Sequence, residues 1–129
     1  MSPTRTISGQ EALNDALYPT EAQWQREVLR VAKEHGWLAH HCRAARTQSG
    51  RWATPIQGDA GFPDLVLVRP LVATDKIRGT LLFVELKVGR GVASVAQQRW
   101  LRALMIAGAQ WRLWRPSDYA EMERTLREG

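Results

Sequence analysis

Gly61-Phe62-Pro63-Asp64-Leu65, followed by Val84-Glu85-Leu86-Lys87, is the part of the chain whose reading decides the fold. Asp64 opens an almost wholly apolar run to Arg69, which predicts a short strand covered on both faces. Leu81 to Val88 predicts a second strand. In a strand, residues two apart share a face, so Glu85 and Lys87 lie together while Leu82, Val84, Leu86 and Val88 fill the opposite face. Charges inside an apolar strand are costly unless something compensates them. Two carboxylates brought together need a cation, and a lysine beside them points to chemistry rather than packing.

Outward from these strands the pattern is helical. Thr20-Glu21-Ala22-Gln23 has the form of a capping box, opening a helix with Trp24, Val28, Val31 and His35 along one stripe and a stop at Gly36. Glu21 and Glu27 flank that stripe on opposite sides, and helical geometry alone does not choose between them. Trp37 to Ala45 predicts a strand, and Arg46 to Phe62 a long polar loop. Pro70 to Thr80 predicts a hairpin connection with an irregular tip.

Ser94-Val95-Ala96-Gln97 is a second capping box, opening a helix through Trp100, Leu101, Leu104 and Met105 to Gly108. Gln110 to Arg115 predicts a last strand, and Pro116-Ser117 the start of a terminal helix with Tyr119, Met122 and Leu126. Residues 1–19 read as an arm or short helix, with a weak helical pattern at Ala12, Leu13, Ala16 and Leu17. Residues 20–129 read as one α/β domain: a mixed central sheet flanked by helices in the order α-β-β-β-α-β-α.

The chain has 129 residues, enough for one core and too few for two. Six tryptophans supply large apolar groups for that core, and Trp24, Trp100, Trp111 and Trp114 sit at core-like spacings. The net charge of +5 fits a polyanionic partner. A single cysteine, Cys42, excludes an internal disulfide framework and a cysteine-rich metal site. With no apolar run of membrane-spanning length and no signal-peptide core before Tyr18, a cytoplasmic location is expected.

Asp64, Glu85 and Lys87 form a PD-x(n)-E-x-K pattern, and the series around it extends the match. An early helix opening with Glu21 comes first, then Gly61-Phe62-Pro63-Asp64 and Glu85-Leu86-Lys87, then Gly91, Ser94, Gln97, Trp100 and Gly108. In this order and over roughly Thr20 to Trp114, the chain resembles the VRR-NUC (virus-type replication-repair nuclease) group of the PD-(D/E)XK nuclease superfamily, with its Holliday junction resolvase-like members. The resemblance implies a restriction-endonuclease-like core and Mg²⁺-dependent cleavage of DNA phosphodiester bonds, with Mn²⁺ as a substitute. It further implies a preference for branched or junction DNA in replication, recombination or repair, and a homodimer.

Residue by residue, the resemblance assigns Asp64, Glu85 and the Leu86 carbonyl as metal ligands, with Glu21 adding another. Lys87 would orient the attacking water and stabilise developing charge, and Gln97 would fix Lys87 or the water. Gln97 could instead serve only its capping box, since one residue cannot easily do both. For DNA contact the basic loop offers Arg43, Arg46 and Arg51, interleaved with Gln48, Ser49 and Trp52 and preceded by His40 and His41. Arg90 and Ser94 lie next to the site. Two other functions fit the same residues: a DNA-binding module without catalysis, and a nuclease acting on RNA.

Overall fold

The computed structural model describes residues 8–41, 45–46, 52–53 and 58–129. Four helices and six strands appear among them: α1 (Gly9–Leu17), α2 (Glu21–Glu34), β1 (Leu38–His41), β2 (Ala45–Arg46), β3 (Trp52–Ala53), β4 (Leu65–Ala73), β5 (Lys76–Leu86), α3 (Val95–Ile106), β6 (Gln110–Trp114) and α4 (Tyr119–Glu128), the last preceded by a 3₁₀ turn at Pro116–Asp118. β1, β4, β5 and β6 form one mixed sheet in that spatial order. Its first two pairings are antiparallel and β5 runs parallel to β6, with α3 as the crossover. The sheet and its flanking helices match the expected α/β class. The residues read as an arm form α1, capped by Ser8 and Glu11.

The helices begin where their capping chemistry predicts. Thr20 Oγ1 accepts from the Gln23 N–H while Gln23 Oε1 accepts from the Thr20 N–H, so the free donors of the first turn of α2 are satisfied. Trp24, Val28 and Val31, three to four residues apart, place one buried stripe against the sheet. Met122 and Leu126 of α4 do the same. Between them lie Leu65, Leu67, Leu82, Val84 and Leu86, each no more than 1% exposed. Trp24 Nε1 donates to the Trp114 carbonyl at 3.0 Å and Trp37 Nε1 to the Leu126 carbonyl at 2.8 Å, which lets the indoles be buried without stranding their donors.

Three expectations need correction. The β4–β5 ladder runs without a break to Ala73↔Lys76, leaving only Thr74-Asp75 at the tip, so Pro70 to Thr80 is paired strand rather than an irregular connection. Pro70 and Gly79, both breakers when read singly, are partners in that ladder. β4 is also not covered on both faces: Leu65 and Leu67 are buried, whereas Val68 is 38% exposed. Finally, of the strand expected from Trp37 to Ala45, Leu38–His41 is described as β1 and residues 42–44 lie outside the described residues, while Ala45–Arg46 pairs with Trp52–Ala53 in a separate two-stranded ladder. Among the described residues no helix is long and apolar enough to cross a membrane.

Candidate active site

Antiparallel pairing sets the site. Leu65 pairs with Val84, so Asp64, one residue earlier, stands across from Glu85 at the open end of the β4–β5 ladder. Asp64 Oδ2 accepts the Leu86 N–H at 2.8 Å, which fixes the aspartate at the strand end. Leu82, Val84 and Leu86 face the α2–α4 core, and alternation turns Glu85 to the other face.

α3 covers that face at the site end. Glu85 is 1% exposed, the one buried charged residue among those described. Gln97, in the first turn of α3, donates from Nε2 to Glu85 Oε1 at 2.9 Å, while its Oε1 accepts the Ser94 N–H at 2.8 Å. The amide therefore performs the capping and the site contact together, one from each end, contrary to expectation. Its partner in the site is Glu85 rather than Lys87. Among the described residues, Glu85 Oε2 has no hydrogen-bond partner. Burial first, then the facing Asp64 carboxylate, push the Glu85 carboxyl well above the usual carboxylate range, with Lys87 pulling it back down.

Lys87 lies just past the end of β5, its side chain 12% exposed. Its Nζ is 3.8 Å from Glu85 Oε1 and 4.0 Å from Glu21 Oε1, so the ammonium stands between the buried glutamate and the first residue of α2. The lysine is anchored from behind. Its N–H donates to the Trp114 carbonyl at 3.1 Å, and a Cβ on Gly91 would lie 3.7 Å from Lys87 Cδ. Arg115 braces the turn that follows, donating to the Gly91 carbonyl at 2.5 Å. Arg90 and Ser94 are exposed beside this turn, and Ser94 Oγ accepts the Gln97 N–H.

Glu21 and Glu27 part company here. Glu21 is half exposed and points at Lys87. Glu27 accepts from Tyr18 Oη at 2.8 Å, Tyr119 Oη at 3.0 Å and Arg30 Nε at 2.5 Å, a structural knot joining α2 to α4 and to the end of α1. Among the described residues, no three His, Cys, Asp or Glu side chains converge as a cage for a metal ion. What converges is a pair of carboxylates, with Glu21 one lysine away. That donor set fits Mg²⁺, which is bound through one or two carboxylates plus water and phosphate oxygens, better than an ion that needs a full protein cage. The unpartnered Glu85 Oε2 beside Asp64 fits a cation for the same reason.

Gly61 and Trp100, which the sequence marks as members of the motif series but not by any role, position the site. Gly61 has φ +94°, and a Cβ there would lie 2.4 Å from the Ala96 carbonyl carbon, so the loop before Asp64 packs directly on the first turn of α3. Trp100 fastens the same loop: its ring meets Phe62 edge-on at 5.0 Å and its Nε1 donates to the Asp59 carbonyl at 3.3 Å. Trp100 and Trp111 are only half buried, whereas Trp24 and Trp114 are fully buried. Of the basic loop, Arg43 and Arg51 lie outside the described residues with Cys42, Gln48 and Ser49, and Arg46 is placed only as the ladder partner of Trp52.

No family model matches the chain, no curated protein is significantly similar to it, and no solved structure is similar to it.

Proposed function

We propose that the chain is a divalent-metal-dependent nuclease of the VRR-NUC type, with a restriction-endonuclease-like core, hydrolysing DNA phosphodiester bonds. The observation that carries this reading is the buried, incompletely partnered Glu85 facing Asp64, with the Lys87 ammonium 3.8 Å away. A structural carboxylate is satisfied by donors; this pair is satisfied by a cation. Asp64, Glu85 and the Leu86 carbonyl would hold Mg²⁺ or Mn²⁺, with Glu21 as a further ligand directly or through water. Such an ion supplies Lewis-acid polarisation of a phosphate and acidifies water.

The remaining work falls to the chain. Gln97 holds the Glu85 carboxylate in one orientation. Glu21 and Glu85 hold Lys87 between them, so that it orients an attacking water and stabilises charge developing on the phosphate. Arg90 and the basic loop supply sequence-independent phosphate contacts, whose strength falls steeply with salt. A domain this small has little surface for reading bases, which favours branched or junction DNA over a specific sequence. Work on two strands favours a pair of copies.

The test is incubation with labelled four-way junction, flap, duplex and single-stranded DNA, and with RNA of the same sequence, in Mg²⁺, Mn²⁺ or EDTA. Metal-dependent nicking of branched DNA with 5′-phosphate ends is the expected result. Salt-sensitive DNA binding without cutting in either metal would replace the nuclease by a binding module. Preferential cutting of the RNA would change the substrate.

A further inference from the structure

α2 and α4 cover one face of the sheet over Leu65, Leu67, Leu82, Val84 and Leu86, while α3 covers the other face only at the site end. Away from the site, ladder register puts Leu38, Val68 and Leu81 side by side on that second face. Two rows further out on the same face, Val72 stands opposite Ile77. These five are 70%, 38%, 48%, 78% and 86% exposed, in that order. The hairpin also outruns its neighbours. β1 pairs no further than Val68, and β6 no further than Leu82. From Pro70 to Gly79 the structure is a two-stranded ribbon exposed on both sides, an arrangement only marginally stable in water by itself.

We propose that this apolar face is the surface through which two copies of the chain associate, hairpin against hairpin about a twofold axis. The proposal gives a location to the pairing put forward above and rests on that pairing, not on the chemistry of the site.

The exposed parts of those five side chains amount to roughly 500 Å², more than the few hundred Å² of apolar patch usual on a monomer. A standard interface covers about 800 Å² per partner and is about 60% apolar, so it needs about the area this face offers. Charge selects the occupant. The strand positions of this face carry no Asp, Glu, Lys or Arg among the described residues outside the α3-covered site end, and Lys76 and Arg78 alternate to the opposite face. DNA or an anionic membrane would find no cation here. A second copy meets the same uncharged stripe, as a twofold contact requires. Val72 lies eight residues along the strand from Asp64, roughly 25 Å, so the contact leaves both sites open.

Light scattering on the eluted protein, without DNA or metal, measures the mass and is therefore independent of whether the chain cuts DNA. The native chain is expected at twice 14.6 kDa. Val72→Lys/Ile77→Glu keeps the net charge and places opposite charges across the ladder. Val72→Thr/Ile77→Thr keeps β-branched side chains throughout. Both are expected at 14.6 kDa with an unchanged circular dichroism spectrum, their dimer dissociation constant raised at least a hundredfold. Arg78→Gln, on the opposite face, is expected to stay dimeric. A native chain that is monomeric at about 100 µM, or well-folded variants that remain dimeric, would overturn the proposal.

Discussion

Glu27 and Glu85 are both held within the fold, and their surroundings could hardly differ more. Glu27 receives hydrogen bonds from two tyrosines and an arginine, and the Arg30 contact holds its carboxyl below the usual range. Burial and the bond to Glu27 push Tyr18 up to about 12, so the tyrosine remains a donor at any working pH. Glu85 receives one amide, faces another carboxylate and is pushed the other way. A carboxylate that ends its hydrogen-bond accounting in balance holds helices together. One left short by an oxygen, beside a lysine, is arranged for something that arrives from outside.

The largest effect expected from breaking this contrast lies at Lys87. Lys87→Ala should lower the rate of metal-dependent cleavage by about 10²–10³. Its loss of DNA affinity in EDTA should stay within about tenfold, because one phosphate contact of many is lost. Single-turnover cleavage beside a binding titration separates the two, and equal losses in both would reduce the lysine to a DNA contact. At the other carboxylate the effect should fall on stability. Glu27→Ala strands two tyrosine hydroxyls, while Arg30 keeps Glu34, and should cost about 2–3 kcal/mol. Thermal melting should then show a midpoint lower by roughly 10 °C.

A smaller effect, with opposite signs at the two sites, comes from pH. Glu27 is lowered in the fold, so its contribution is present above its ordinary value of 4.5 and is lost as pH falls through the lowered value. Glu85 is raised, so without metal its contribution is complete below 4.5 and is lost as pH rises through the raised value. Urea titrations in EDTA across this range should show stability declining on the alkaline side. A stability flat with pH there would mean that burial and Asp64 together do not raise Glu85.

Much of this was written locally in the sequence. Two capping boxes place α2 and α3, the Trp24–Val28–Val31 stripe places the core, and alternation along β5 separates Glu85 from Leu82, Val84 and Leu86. What was not legible depends on partners far along the chain. Glu27 is defined by Tyr18, 9 residues before it, and Tyr119, 92 after it, which no periodicity predicts. The length of the hairpin was hidden because Pro70 and Gly79 break strands singly yet face each other when paired. The β-branched Val72 and Ile77 were the available signal, and their exposure made no core pattern. Gln97 was underread because an amide has a donor and an acceptor, and the two serve different elements.

The claim at the centre is that Asp64 and Glu85 form a cation site. Thermal melting of the native chain and Glu85→Gln at pH 8, each in EDTA and in excess Mn²⁺, tests it most directly. In EDTA, Glu85→Gln should melt above the native chain, because a neutral amide needs neither a proton held far above pH 4.5 nor a buried charge beside Asp64. Mn²⁺ should raise the native midpoint by about 5 °C through mass action and leave Glu85→Gln unmoved. A native midpoint that does not move with Mn²⁺, or a well-folded Glu85→Gln that melts below the native chain in EDTA, would contradict it.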